Sequence, residues 1–132
     1  MQGSTQSIPT VLVADDDELI CMLIARALQP RGLQVTLAHT AEQSIAACST
    51  SQFDLVIVDA HIPGLDLRAC LALLENNNPH SPILVISGDL DRPEWLATET
   101  VYLSKPFGLT ELLATVAQLL GRSEISLSTE KP

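Results

Sequence analysis

The stretch Leu55–Asp59, LVIVD, decides the fold. Its apolar residues run without alternation and are mostly β-branched. A strand with one wet face alternates apolar and polar residues. An unbroken apolar run is buried on both faces, as in a parallel sheet covered by helices. The run stops abruptly at an acid. Thr10–Ala14 (TVLVA) is of the same kind and ends in Asp15, Asp16, Asp17 and Glu18. Ile83–Ile86 (ILVI) ends in Ser87 and Gly88, and Val101–Leu103 ends in Ser104 and Lys105. Gln34–Ala38 (QVTLA) completes five predicted strands.

Helical patterns separate them. Leu19, Ile20, Leu23, Ile24, Ala27 and Leu28 are spaced for one face of a helix that Pro30 and Gly32 stop. Thr40 and Gln43 have the spacing of a capping box, with Ile45, Ala46 and Cys48 or Ser49 expected on the buried face. Leu67 to Glu75 and Leu109 to Leu120 are further helices. Asp89 to Thr100 is polar, contains Pro93, and has room for one short helix at most. Strands alternating with helices predict an α/β fold with a parallel sheet between helical layers.

The chain has 132 residues, one domain's worth, and 46% of them are apolar. Its net charge is −9, and its seven Lys and Arg residues are scattered, which argues against a grip on nucleic-acid backbones. No apolar run is long enough to span a bilayer, and residues 1–10 carry no Lys or Arg, unlike a signal peptide. A soluble cytoplasmic domain over residues 9–121 is expected. A disordered segment at 1–8 and a flexible tail or linker at 122–132 should flank it. The three cysteines, Cys21, Cys48 and Cys70, read as small reduced core residues.

In an open α/β sheet, ligands bind at the carboxyl ends of the strands. There the sequence gathers Asp15 and Asp16, Asp59, Ser87 and Lys105. Crowded carboxylates repel unless a cation neutralises them, and a hard ion with oxygen ligands such as Mg²⁺ suits them. The hydroxyl and the ammonium would complete a phosphoryl cradle. Asp59, delivered by the central strand, is placed to act as a nucleophile toward phosphorus.

The segments VLVADDDELI, DLVIVDAHIPGLD, ILVISG and YLSKPF resemble the signature segments of response-regulator receiver domains, from about Pro9 to Leu120. The resemblance implies a flavodoxin-like five-stranded parallel sheet. It implies a signalling switch, not an enzyme beyond self-catalysed phosphoryl transfer and autodephosphorylation. Asp59 then matches the phosphoacceptor, and Asp15, Asp16, Asp59 and the backbone carbonyl of His61 match the Mg²⁺ ligands. Ser87 matches the switch hydroxyl, Lys105 the phosphate-pairing lysine before a cis Pro106, and Tyr102 the aromatic switch. His61 and Asp89 occupy the two positions that tune rates. The implied partners are a sensor histidine kinase or histidine phosphotransfer protein, and an output domain or effector.

Two departures stand out. Leu67 replaces a usual glycine, and Ser87 to Lys105 spans roughly four positions fewer than usual. The fourth helix of the family pattern is therefore expected to be shortened or displaced. A degenerate receiver, acting only as a protein-interaction module, is the alternative. A haloacid-dehalogenase-type phosphatase would need a DxD nucleophile after the first strand with a nearby Thr. A flavodoxin would need a Ser, Thr and Gly-rich loop there, where this chain has acids.

Overall fold

The computed structural model describes residues 8–121. The expectations for segments 1–7 and 122–132 lie outside these residues. The chain runs β1 (Thr10–Ala14), α1 (Glu18–Leu28), β2 (Gln34–Ala38), α2 (Ala41–Thr50), β3 (Leu55–Asp59), α3 (Leu67–Asn77), β4 (Ile83–Ser87), β5 (Val101–Ser104) and α4 (Leu109–Leu120). All strand pairs are parallel, in the order β2-β1-β3-β4-β5. The flavodoxin-like fold is present.

Every residue of β3 is buried, as its unbroken apolar run requires. Successive side chains point to opposite faces of the sheet and fill two separate apolar layers. Val11, Val13, Leu55, Ile57, Leu84 and Ile86 face the layer closed by α1 and α4. Leu12, Val56, Val58 and Val85 face the layer that holds Cys48 of α2 and Cys70 and Leu74 of α3. Ile57 is 0% exposed at the centre of the sheet. An Ile57→Ala variant should lose about 2–5 kcal/mol of stability through the lost burial and the cavity left behind. Urea denaturation measures this, and a loss well under 1 kcal/mol would contradict the packing.

The helix starts are built locally. Asp17 Oδ1 accepts from the Leu19 and Ile20 amides, and Asp66 Oδ1 from Ala69 N. Thr40 Oγ1 accepts from Gln43 N, while Gln43 Oε1 reaches back to His39 N, one residue before the cap. α1 stops at a short 3₁₀ turn, Gln29–Arg31, closed by Gly32 at φ 89°, where a Cβ would be strained.

Three expectations need correction. No helix forms between β4 and β5. Residues 89–100 are irregular, with turns closed by Leu96 N to Pro93 O and Thr100 N to Ala97 O. Pro93 restricts the residue before it and supplies no amide, so a helix cannot run through this short connection. The fourth family helix is thus absent, neither shortened nor displaced. In α1, Leu19 and Leu23 are exposed; Ile24, Ala27 and Leu28 are buried as expected, and Cys21 and Ala25 join them in place of the two leucines. In α2 the buried residues are Ser44 and Cys48, with Ile45 and Ala46 outward. Ser44 is tolerated inside because its hydroxyl donates to Thr40 O.

Candidate functional site

The acids, the serine and the lysine expected at the site reach the carboxyl edge of the sheet, while Tyr102 lies inside β5 opposite Val85. Asp15 follows β1, Asp59 ends β3, Ser87 ends β4 and Lys105 follows β5. Asp15, Asp59 and Ser87 are buried, and Asp16 is exposed at the rim. One carboxylate oxygen from each of Asp15, Asp16 and Asp59 lies within 4.8 Å of the others. Lys105 Nζ sits 2.9 Å from Asp15 Oδ2 and 2.8 Å from Asp59 Oδ1. The Lys105–Pro106 bond is cis.

The electrostatics follow from this crowding. Burial pushes the Asp15 carboxyl above its ordinary value. The Asp17 amide and Lys105 pull it back, and the charge of Asp59 pushes it up again. Burial alone would lower the Lys105 ammonium, but its bonds to Asp59 and Asp15 prevail and hold it above the ordinary lysine value. Such a pocket favours a cation, and its donors are hard oxygens. They fit Mg²⁺ better than any soft metal.

Asp59 Oδ2 accepts from His61 N at 3.0 Å, which fixes the carboxylate plane. Ser87 Oγ accepts from Asp89 N at 3.0 Å, so the serine proton remains available to another acceptor. His61 and Asp89 meet: Nε2 of the imidazole donates to Asp89 Oδ2 at 2.7 Å, both side chains being well exposed. Tyr102 Oη donates to the Asp89 carbonyl at 2.8 Å, and Ser104 Oγ donates to it at 3.1 Å. Asp89 thus joins Ser87, His61 and Tyr102. Its central place, and that of Ser104, did not emerge from the sequence, because the partners lie on loops far apart in the chain. The run Ser104-Lys105 at a strand end was the one available signal.

A parallel sheet bearing a cation-seeking acid pocket with a half-buried, ion-paired lysine defines an α/β domain suited to handling phosphoryl groups. Comparison with known proteins names its kind. The chain belongs to the response-regulator receiver domain family, whose model matches residues 11–117. It is 28% identical over 121 residues to the probable transcriptional regulatory protein TcrX of Mycobacterium tuberculosis, covering 89% of this chain and 52% of TcrX. It is 32% identical over 117 residues to the sensory/regulatory protein RpfC of Xanthomonas campestris pv. campestris, covering 83% of this chain and 16% of RpfC. It therefore spans about half of the first relative's length and a smaller share of the second's.

Among solved structures, the Francisella response regulator 1452 receiver domain superposes with TM-score 0.74 at 31% identity, over 86% of this chain and 97% of that one. TrrA of Thermotoga maritima, solved in complex with Mg²⁺ and BeF, gives 0.72 at 25%, over 84% and 98%.

Proposed function

We propose that this chain is a phosphoacceptor switch that takes a phosphoryl group on Asp59 in a Mg²⁺-dependent reaction. The observation that carries this is the Asp15–Asp16–Asp59 cluster closed by Lys105 at the carboxyl edge of the sheet. Asp15, Asp16, Asp59 and the His61 carbonyl would hold Mg²⁺, which supplies charge neutralisation for the incoming phosphoryl oxygens. The complex of TrrA with Mg²⁺ and BeF supports that assignment.

A carboxylate oxygen of Asp59 attacks phosphorus, and the donor's leaving group departs opposite it. Lys105, already bonded to Asp59, is positioned to pair with a phosphoryl oxygen once the carboxylate charge is spent. The free Ser87 proton serves a second oxygen. In moving there, Ser87 gives up the Asp89 amide and loosens the segment that Tyr102 and Ser104 hold. Tyr102 is the switch residue in this reading. The domain is a self-resetting switch without separate enzymatic turnover, and cytoplasmic. Its donor is a sensor histidine kinase or histidine phosphotransfer protein.

Incubation with Mg²⁺ and a small phosphodonor, followed by intact mass and peptide mapping, tests the reading. One phosphoryl group on Asp59 supports it. No gain, together with no beryllofluoride binding, would leave only a phosphorylation-independent interaction module.

The pair of His61 and Asp89 links the loops after β3 and β4 beside the acceptor and screens it from water. Asp89→Ala should shorten the lifetime of the phosphorylated form about threefold or more. A lifetime that stays the same or lengthens would remove the screening role.

Leu19, Met22 and Leu23 form an exposed apolar stripe on α1, next to Asp16 at the site rim. This stripe is suited to dock the phosphodonor protein. Changing Leu19 and Leu23 to Ser should slow transfer from a histidine phosphotransfer protein about tenfold or more. Labelling by the small donor should be unchanged. Equal slowing of both reactions would show damage to the site itself.

A further inference from the structure

The fold sorts the cysteines into two groups. Cys21, on α1, lies in one apolar layer. Cys48, on α2, and Cys70, on α3, lie in the other, across the sheet. Both are 1% exposed. α2 packs directly on α3, and the two thiols share one apolar layer and interact electrostatically. Two sulfurs facing each other on adjacent helices differ from the inert cysteines expected of a reduced core.

We propose that Cys48 and Cys70 are a redox modification site, converted by a peroxide into a disulfide that ties α2 to α3. The chemistry closes on these two residues. The Cys70 sulfur, as thiolate, attacks a peroxide oxygen and the O–O bond breaks. The departing hydroxide takes up the proton that the thiol released, giving water and a Cys70 sulfenic acid. The Cys48 sulfur then attacks the sulfenic sulfur. The S–S bond forms, the S–O bond breaks, and the hydroxyl leaves with the Cys48 proton as a second water. The two thiols lose two electrons and hydrogen peroxide gains them.

Cys70 goes first because its interaction with the neighbouring Cys48 thiol holds it below the ordinary range. Cys21 has no such thiol neighbour. Burial beside the charge of Asp15 pushes its thiol up to about 11.

Burial decides the partner as well as the rate. Neither sulfur can reach a second protein molecule while the layer is closed, so each finds only the other. Access comes through local opening of α2. This helix buries only Ser44 and Cys48. Three of its hydroxyls, on Ser44, Ser49 and Thr50, bond back to carbonyls one turn earlier. Such bonds slightly weaken and bend helices. The neighbouring strand β2 is an edge strand and mostly exposed. The oxidant therefore enters past a helix with only two buried residues. The link closes a loop that contains all of β3 and Asp59.

The experiment uses the whole chain, reduced, exposed to hydrogen peroxide, denatured and alkylated without reductant. Tryptic cleavage after Arg68 separates Cys48 from Cys70 for mapping. The expected product is about 2 Da lighter, with free thiols reduced from three to one and the Cys48 and Cys70 peptides linked. Cys48→Ser and Cys70→Ser should each abolish the link, and Cys21→Ser should leave it. Three intact thiols, sulfinic acids on separate cysteines, or links through Cys21 would overturn the proposal. The site does not depend on phosphoryl transfer, so its failure would leave the reading of Asp59 untouched.

Discussion

An Asp59→Asn variant is expected to take up no phosphoryl group from any donor while keeping its fold. The carboxamide oxygen is too poor a nucleophile to displace a leaving group from phosphorus. It can still accept the His61 amide that Asp59 Oδ2 accepts now, so the local geometry has a reason to survive. Lys105 keeps Asp15 as a partner at 2.9 Å. Intact mass after incubation with Mg²⁺ and phosphodonor reads the loss, and circular dichroism reads the fold. Asp15 and Asp16 lie beside the acceptor and carry the same functional group. Labelling that persisted on either of them would sink Asp59 as the nucleophile. Asp15 also accepts an amide and pairs with the ammonium, so position decides: Asp59 ends β3, the central strand of the sheet.

A Lys105→Met variant should show the largest loss of stability of any single change at the site. Asp15 is 0% and Asp59 4% exposed, and the Lys105 side chain is 22% exposed. Removing one partner of a buried ion pair strands the other charges at a cost of about 3–5 kcal/mol. Millimolar Mg²⁺ should recover part of it, because the cation answers the same carboxylates.

The pH dependence has two limbs. The folded Lys105 value lies above the ordinary 10.5, so its contribution is full below about pH 10.5. That contribution is lost as pH rises through the folded value. Lys105→Met should therefore flatten the alkaline fall in stability. The folded Asp15 value lies above its ordinary 3.8. Its charge therefore costs stability at neutral pH, and acidification through the folded value relieves that cost. Without Lys105 the cost grows, and the variant should gain on mild acidification more than the wild type does. Urea midpoints between pH 5 and 11 measure both limbs. Parallel profiles for the two proteins would contradict the pairing.

The sheet was legible in the sequence because burial on both faces leaves unbroken apolar runs such as Leu55–Val58 and Ile83–Ile86. The five site positions were legible for a related reason: strand ends deliver side chains to one edge whatever the intervening loops do. The helix faces were less so. Leu19 and Leu23 fit a helical stripe with Ile24 and Leu28, yet the sheet covers only the side that includes Cys21 and Ala25. Periodicity finds a stripe but not which edge of it turns outward. The contacts of Asp89 were illegible because three use its main chain, whose hydrogen bonds carry no residue signature. The meeting of Cys48 with Cys70 depends on how α2 leans on α3, which no spacing encodes.

The missing helix has a practical corollary. The irregular segment that replaces it carries Trp95, the single tryptophan of the chain, with the Arg68 guanidinium 5.0 Å from its ring centre. Trp95 is 41% exposed, so its ring borders both solvent and the cation. Its ultraviolet emission therefore reports on this connection and its contact with α3. The protein has a native optical gauge in the segment whose first residues bond to Ser87 and Tyr102, and stopped-flow spectroscopy can follow that segment without any attached dye.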